Sequence, residues 1–387
     1  MTPPLQGLRV LDLTRLLPGP LTTLFLADLG ANVVKIEDPA APDPLRMTPP
    51  LHQGMGAAFR LLNRNKRSLA LDLKHPRGRE LFMLLARGAD VVVENFRPGV
   101  LDRLGVGWPE LFAVNPRLLL CSLTGYGQSG PDRLRPGHDI NYTARSGILA
   151  QNGSPAGPPR VVGVPVADII SAWQALAAVL GALLELHQTG RGRHLDVAMA
   201  EGALTASLLG LSAAEAGAEP EARGRGVLSG EVPAYSIYRC ADGRYLSVGA
   251  LEPRFFAAFC KALGRPDLAE KGLVRGDEAA AVQMEIAAEI QKRTLSEWTA
   301  ILPPEACSEP VRELSEIPDL PQHATRGVFA GPLPGEGEFR YLRTPLPLER
   351  AELAPAPELG AHGREVLQEI GLSESEIVSL RTSGAVG

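Results

Sequence analysis

The chain has 387 residues, of which 45% are hydrophobic, so it can bury a large core and is long enough for two or three domains. Its net charge of -5 provides no broad basic field, which argues against nucleic acid or an anionic membrane surface as a partner. The four cysteines are far apart and form no Cys-x-x-Cys pair, so we predict neither a disulfide framework nor a zinc site, and we expect a cytoplasmic location.

Strand and helix patterns alternate through the first half of the chain, as they do in βαβ units. Because the strand patterns are continuously apolar, we expect parallel strands that are covered on both faces. The predicted fold is therefore α/β, with a Rossmann-like, doubly wound parallel sheet in a large domain. Strands are predicted at residues 8–14, 32–36, 68–73, 90–94 and 118–123, and helices at 22–29 and 78–87.

The composition changes to Gly, Glu, Arg and Pro at residues 217–232, and a different kind of structure is predicted beyond them. A hairpin over 234–240 and 245–248, followed by helical patterns over 255–302, indicates a smaller α+β domain. The proline-rich tail carries a short helix at 363–370. The predicted domains are 1–215, the first part of the large domain, 216–319, the small domain, and 320–387, a segment that returns to the large domain.

An apolar run at residues 169–186 approaches the length of a membrane span. Polar or charged residues interrupt or flank it at Asp168, Ser171, Gln174 and Glu185. We therefore predict a buried helix and no membrane partner.

A G-x-G-x-x-G pattern at residues 125–130 follows a predicted strand, as in dinucleotide sites. The helix that such a site requires is missing, because Pro131 and Pro136 come next. The first strand ends in Pro18-Gly19-Pro20, which cannot form a glycine-rich pyrophosphate turn. We predict a flexible loop at 125–130 and no nicotinamide or flavin cofactor.

A His and two carboxylates at element boundaries indicate proton-transfer chemistry. His138 lies in a polar turn after a central strand, where open α/β sheets bind ligands. Asp168 and Glu252 each precede a helix, Glu252 directly before Pro253. Structural roles compete with these: a capping histidine, an Asx turn for Asp139, and helix N-terminal positions for Asp168 and Glu252. For Asp168 the sequence leaves capping alone and capping with catalysis equally open.

Several further segments carry a family resemblance. They are Pro18-Gly19-Pro20, the Leu-Ala-Asp-Leu-Gly-Ala run at 26–31, Asn65-Lys66-Arg67-Ser68, the Glu-Asn-Phe-Arg-Pro-Gly run at 94–99 and the Gly-His-Asp-Ile-Asn-Tyr block at 137–142. In order and over nearly the whole chain, these segments resemble the family III CoA transferases. The block at 137–142 resembles the alpha-methylacyl-CoA racemase branch of that family.

The resemblance implies that the domain over residues 1–215 binds coenzyme A and that its loops hold an acyl-CoA thioester. It assigns the catalytic set to His138, Asp168, Glu252 and Asp139, with no metal and no cofactor beyond the coenzyme A of the substrate. The implied substrate-binding residues are Leu71, Asp72, Leu73, Lys74, Asn95, Phe96, Arg97, Gly137, Ile140, Asn141 and Tyr142.

Two departures from the racemase pattern bear on the substrate. The bulky Ile170 and Trp173 stand where racemases have glycines near the acyl pocket. Asp38 stands where racemases have an arginine that contacts the coenzyme, and losing that cation is expected to weaken phosphate binding.

The first functional hypothesis is racemisation at the α-carbon of a 2-methylacyl-CoA, with His138 and Asp168 as bases on opposite faces and Glu252 orienting His138. Backbone N–H groups at the start of the Asp168 helix are expected to stabilise the enolate. The alternative is CoA transfer, in which Asp168 attacks the thioester and forms an acyl-aspartyl anhydride. A third hypothesis is a coenzyme A-binding protein without activity. The resemblance also implies an intertwined homodimer in which Glu252 completes the partner's site.

Overall fold

The computed structural model describes residues 2–219 and 221–387. The strands are β1 (Arg9–Asp12), β2 (Asn32–Glu37), β3 (Leu51–His52), β4 (Met55–Gly56), β5 (Arg67–Ala70), β6 (Val91–Glu94), β7 (Leu119–Thr124), β8 (His194–Ala198), β9 (Tyr235–Arg239), β10 (Tyr245–Gly249), β11 (Ser308–Pro310), β12 (Phe329–Ala330) and β13 (Tyr341–Leu342).

The α-helices are α1 (Pro18–Asp28), α2 (Ala57–Asn63), α3 (Pro76–Arg87), α4 (Val100–Leu104), α5 (Trp108–Val114), α6 (Asp139–Arg145), α7 (Ile148–Gln151), α8 (Val166–Thr189), α9 (Met199–Leu204), α10 (Leu208–Glu215), α11 (Pro253–Leu263), α12 (Gly276–Ile290), α13 (Leu295–Ile301), α14 (Pro321–Thr325), α15 (Gly363–Glu369) and α16 (Glu374–Thr382).

The described chain divides into two compact units. The first contains the chain up to Ser146, Val164–Thr205 and Thr325–Gly387, and the second contains Gly147–Gly163 and Ala206–Ala324. The units therefore change at residues 206 and 325, whereas the predicted domains change after 215 and 319. The segment 147–163 also groups with the second unit.

The first unit is built on a parallel sheet with the strand order β5-β2-β1-β6-β7-β8. Val10 of β1 pairs with Val33 of β2 on one side and with Val91 of β6 on the other. Strand order reverses at β1 and β6, and open α/β sheets bind ligands in the crevice beyond the carboxyl ends of such strands. The predicted Rossmann-like fold class is confirmed.

The edge strand β8 is absent from the predicted strands. As an edge strand it is paired on one side only, and it carries the polar His194 and Asp196, which break the apolar run that identifies the inner strands.

The C-terminal segment of the first unit packs back onto the sheet. The N–H of Gly387 donates to the Ala70 carbonyl at 3.1 Å, and α16 buries Ile377 and Leu380 in the core that covers one sheet face. Helix α16 is absent from the predicted elements, although the capping box formed by Ser373 and Glu376 is a helix-start signal.

Helix α8 is the one described helix that is long and apolar enough to cross a membrane, which by itself is weak evidence for a span. Eight of its residues are buried, and it packs against α1 and β7. Leu184 on its other side is 70% exposed. The helix is therefore a half-buried core helix of the first unit, less enclosed than predicted.

The second unit has an antiparallel sheet in the order β11-β10-β9, covered by α11, α12 and α13. Its core includes Phe256, Phe259, Ile286 and Trp298. The hairpin turn between β9 and β10 places Gly243 at a φ of +79°, a conformation that glycine adopts without strain. This unit is the smaller α+β element of the predicted fold.

Candidate active site

The polar turn predicted around His138 leads directly into helix α6, which begins at Asp139. His138 is the N-cap residue, and its N–H donates to Oδ1 of Asn141 at 3.0 Å. The Tyr142 hydroxyl donates to the Gly137 carbonyl at 2.7 Å, which ties the helix back to the loop before it. His138 is exposed to solvent while its backbone is held by these contacts. An accessible imidazole on a fixed backbone is suited to proton exchange with a ligand.

Asp168 is not the N-cap of α8, contrary to the sequence-based alternatives. The helix begins at Val166, after Pro165, so Asp168 lies in its first turn. Oδ1 of Asp139 accepts hydrogen bonds from the N–H groups of Ala167 at 2.7 Å and Asp168 at 3.2 Å. A carboxylate from α6 therefore caps α8, and the segment that carries His138 lies against the first turn that carries Asp168.

The first N–H groups of α8 are engaged within the protein. Those of Ala167 and Asp168 are bound by Asp139, while Val166 and Ile169 donate to the carbonyls of Val164 and Pro165. The expected role of this helix terminus in stabilising an enolate is therefore wrong for these four groups.

Burial, together with the negative charge of Asp139, raises the pKa of Asp168 to about 7. Both effects disfavour the ionised carboxylate, the first by removing water and the second by like-charge repulsion. At neutral pH Asp168 is therefore divided between its protonated and ionised forms. It can remove a proton from a ligand and also return one.

Tyr142 shares this electrostatic environment. Burial, with the nearby charge of Asp168, raises the pKa of its hydroxyl to about 12, while Arg97 acts in the opposite direction. Arg97 is exposed after β6, at the crevice where strand order reverses. The structure therefore brings the Arg97 loop close to the His138 and Asp168 segments.

The loop after β6 is joined across the crevice to the loop after β1. The Arg15 N–H donates to Oδ1 of Asn95 at 3.0 Å, and Nδ2 of Asn95 donates to the Arg15 carbonyl at 2.8 Å. The Arg15 guanidinium also lies 5.6 Å from the centre of the Phe96 ring. Arg15 is missing from the predicted site, although a cation directly after the first strand is a signal that could have identified it.

The loop after β5 divides into core and surface residues. Leu71 and Leu73 are buried in the core, so their side chains cannot contact a ligand as they stand. Asp72 accepts the N–H of Lys74 at 2.8 Å, and the exposed Lys74 ammonium lies 2.8 Å from Asp38. That hydrogen bond raises the pKa of Lys74. Asp38 therefore partly neutralises the cation that the sequence assigns to the coenzyme.

The two bulky residues of α8 pack inside the first unit. Trp173 stacks on Phe25 of α1, with 4.1 Å between ring centroids. Ile170 approaches Gly202 of α9, where an added Cβ would lie 3.6 Å from its Cγ2. Their bulk fills the contact of α8 with α1 and α9.

Glu252 belongs to the second unit. It is the exposed N-cap residue of α11, and its carbonyl accepts the N–H groups of Phe255 and Phe256. Its predicted hydrogen bond with His138 stays a prediction.

The described residues contain no group of three or more His, Cys, Asp or Glu side chains arranged to hold a metal ion. The loop at 125–130 forms turns with Gly127 and Gly130 at positive φ, and the next helix starts only at Asp139. The sequence-based prediction that the protein uses no separate cofactor stays a prediction.

A family model described as CoA-transferase family III matches residues 5–363. The chain belongs to this family. It is 33% identical to the alpha-methylacyl-CoA racemase of Homo sapiens, over 98% of this chain and 96% of the relative. It is 32% identical to the succinyl-CoA:glutarate CoA-transferase of Mus musculus, over 99% of this chain and 90% of the relative.

The fold of this family III member also matches a solved structure. The CAIB/BAIF family protein from Brucella suis has a TM-score of 0.85 and 29% identity, with 96% of this chain and 100% of that chain covered. The chain is therefore an enzyme of the combined CoA-transferase and racemase family, and its similar relatives include both racemases and CoA transferases.

Proposed function

We propose that this protein racemises the α-carbon of a 2-methylacyl-CoA by two-base proton transfer through an enolate. The observation that carries the proposal is Asp168, whose pKa is raised to about 7 and which lies against the segment that presents His138. A base on each face of the α-carbon is what inversion requires. Histidine and a carboxyl group that titrates near neutrality are both suited to that work.

In this mechanism one of the two bases removes the α-proton and the other donates a proton to the opposite face. The roles reverse for the opposite enantiomer. After each turnover, the base that began unprotonated carries the proton, and the other base has lost its own. Asp139 fixes the first turn of α8 and keeps part of the Asp168 population protonated through its charge. The enolate oxygen must be stabilised by donors other than the N–H groups of residues 166–169, which are already bound.

The loops at the carboxyl ends of β1, β5 and β6 are proposed to bind the coenzyme A part of the substrate. Arg15, Lys74 and Arg97 supply cations there, as polyphosphate recognition requires. The crevice between β1 and β6 is also where open α/β sheets place ligands.

CoA transfer is the second candidate, and the similarity to transferases of this family favours it. In that reaction an Asp168 oxygen attacks the thioester carbonyl and the C–S bond breaks, which releases the coenzyme A thiolate and forms an anhydride. That chemistry does not need His138. His138 is therefore the residue that separates the two proposals.

The deciding experiment is incubation with a 2-methylacyl-CoA in D2O, with α-deuterium incorporation followed by NMR. The wild-type protein is expected to exchange the α-proton without any added carboxylic acid. His138→Ala and Asp168→Asn should each abolish exchange or limit it to one enantiomer, while His187→Ala, an exposed histidine at the end of α8, serves as the control.

The outcome that would contradict racemisation is no exchange in the wild-type protein, together with consumption of acyl-CoA once a free carboxylate is added. In that case His138→Ala should retain transfer and Asp168→Asn should lose it.

We further propose that the enzyme is a cytoplasmic homodimer in which Glu252 of one subunit orients His138 of the other. The test mixes inactive His138→Ala and Glu252→Ala proteins under conditions that exchange subunits. Each mixed dimer then has one site with both native residues, so activity should return. Mixed dimers without activity, or a fully active monomer at high dilution, would contradict the arrangement.

A further inference from the structure

A second group of titratable side chains lies on the other face of the sheet from Asp12 and α1. Glu94 follows Val92 by two residues along β6, so its side chain lies on the same face of the sheet, toward the core formed by Leu11, Val92 and Leu120. It is 3% exposed, and Ser122 on the neighbouring strand β7 is 1% exposed. The proposed reaction uses neither of them.

Glu94 is connected to the loop that follows its own strand. Its Oε2 accepts the Phe96 N–H at 2.7 Å, which closes a tight turn over Asn95. Asn95 accepts the Arg15 N–H and donates to the Arg15 carbonyl, and Arg97 lies close enough to Tyr142 for its charge to lower the pKa of the Tyr142 hydroxyl. The position of the Glu94 carboxyl therefore determines the shape of the loop from Asn95 to Arg97.

Glu94 is also connected toward solvent. Ser122 is the register partner of Glu94 on the neighbouring strand β7, which places its hydroxyl beside the Glu94 carboxyl, and its Oγ lies 2.9 Å from Nε2 of His194 at the edge of the sheet. The His194 ring is partly exposed and stacks on Trp108, with 5.8 Å between centroids. Because a hydroxyl both donates and accepts, Ser122 can pass a proton in either direction.

Burial, with the negative charges nearby, favours a neutral Glu94 carboxyl. Burial raises the pKa of Glu94 to about 7, the hydroxyl of Ser122 opposes the rise, and Asp102 and Asp196 add to it. Burial lowers the pKa of His194, with Asp196 and Asp102 opposing. Cys121, the other titratable neighbour, is held neutral because burial, together with the Glu94 charge, raises its pKa.

We propose that Glu94, Ser122 and His194 form a proton relay that switches the loop from Asn95 to Arg97 between two hydrogen-bonded states. In one state the neutral Glu94 donates to Ser122, which donates to Nε2 of His194. In the other state, Glu94 has given its proton to Ser122, and Ser122 has given its own proton to Nε2 of His194. Nδ1 of His194 has released one proton to water, so the imidazole stays neutral and Glu94 is ionised. The carboxylate left behind accepts the Phe96 N–H more strongly.

The inference deepens the proposed function and rests on it in one respect, that the loop binds coenzyme A. The hydrogen bond from the Phe96 N–H to Glu94 holds the loop in the shape proposed to bind coenzyme A. Because a charge-assisted hydrogen bond is about twice as strong as a neutral one, ionisation should favour that shape and increase the affinity for coenzyme A about fivefold. Affinity should therefore fall as the pH decreases from about 8 to about 6, across the titration of Glu94.

The first test requires no coenzyme. Protein with 15N-labelled phenylalanine and histidine is titrated by NMR, with Phe96→Leu and His194→Gln to assign the two signals. The Phe96 amide and the His194 ring should report one shared titration near neutrality. Glu94→Gln should remove it from both, and Ser122→Ala should leave it on Phe96 and remove it from His194.

Glu110→Gln is the matched control, because Glu110 is an exposed glutamate on α5, the helix whose Trp108 stacks on His194. It should leave both signals unchanged. A wild-type Phe96 amide that does not titrate in this range, or a Ser122→Ala protein in which the two titrations stay coupled, would overturn the relay.

The second test measures acetyl-CoA binding by calorimetry across the same pH range. A fivefold loss of affinity at the lower pH in the wild-type protein, absent in Glu94→Gln, supports the consequence for the ligand. If the NMR titration is present and binding does not change with pH, the relay stands and it is the assignment of this loop to coenzyme A that fails.

Discussion

Two groups of charged side chains in the first unit show opposite arrangements. Beneath the turn after β1, Asp12 lies 3.0 Å from the Lys66 ammonium, and Lys35 lies 3.2 Å from Asp43. Burial acts to raise the pKa of Asp12, but the charges of Lys66 and Lys35 outweigh it and lower the pKa to about 2. At the start of α8, Asp139 faces Asp168 instead, and the pKa of Asp168 is raised to about 7.

The difference lies in the sign of the neighbour. A carboxylate beside buried cations stays ionised at any physiological pH, so it acts as a permanent part of the structure. Here Asp12 also holds the turn, because its Oδ1 accepts the Thr14 N–H at 2.9 Å, and Lys35 donates to the Thr14 carbonyl at 2.7 Å. A carboxylate beside another carboxylate keeps an exchangeable proton near neutrality. The first group supports the site, and the second is suited to perform chemistry.

The largest effect is expected from Asp168→Asn, which removes the exchangeable proton. Activity should fall by about 10²- to 10⁴-fold, the usual contribution of a general acid or base, and be measured as kcat/KM. The control Asp277→Asn changes an exposed aspartate in the first turn of α12 and should be silent. Full activity in Asp168→Asn would contradict both proposed reactions.

The same variant should gain stability at higher pH. The raised pKa means that the folded protein binds this proton more tightly than the unfolded chain does. Ionisation of Asp168 therefore destabilises the fold as the pH increases from 3.8, the ordinary pKa of an aspartate, through about 7. Denaturant unfolding should therefore find Asp168→Asn more stable than the wild-type protein above neutral pH. At acidic pH the two proteins should differ little.

The next effect is expected from Lys66→Met, which leaves Asp12 buried beside Lys35 alone. Removing one partner of a buried ion pair costs about 3–5 kcal/mol, because the remaining charge is neither hydrated nor fully compensated. Urea unfolding measures this loss, and Lys261→Met, at an exposed lysine on α11, is the control. A Lys66→Met protein of unchanged stability would show that the pair does not hold the turn.

A smaller effect is expected from Asp139→Asn, which removes the like charge and keeps an oxygen to accept the Ala167 N–H. The pKa of Asp168 should then decrease, and the acid limb of the rate profile should move to lower pH by about one pH unit. The measurement is kcat/KM against pH. A profile that keeps its position would assign the raised pKa to burial alone.

The smallest effect is expected from Asp38→Asn, which releases Lys74 from its exposed ion pair. Such pairs contribute about 0.2–1 kcal/mol, so the KM for acyl-CoA should fall by about 1.4- to fivefold with kcat unchanged. Asp277→Asn, at the exposed aspartate of α12, leaves the Asp38 to Lys74 pair intact and serves as the control. An increase in KM would show that Asp38 assists coenzyme binding.

Much of the fold could be predicted from the sequence, because continuous apolar runs and their spacing specify buried parallel strands and the helices between them. His138 and Asp168 were predicted for a local reason as well, since each is a polar residue at an element boundary. The strand β8 and the helix α16 were missed because an edge strand and a short amphipathic helix produce weak periodicity.

The tertiary structure alone decided which groups act on one another. Asp139 caps a helix 28 residues further along the chain, Asn95 binds Arg15 across 80 residues, and Ser122 meets His194 across 72. Hydrogen bonds between distant residues leave no period in the sequence, and a pKa depends on burial and neighbouring charge, which exist only after folding. The sequence therefore determined the sheet and its two candidate bases, while packing determined that one of those bases titrates near neutrality.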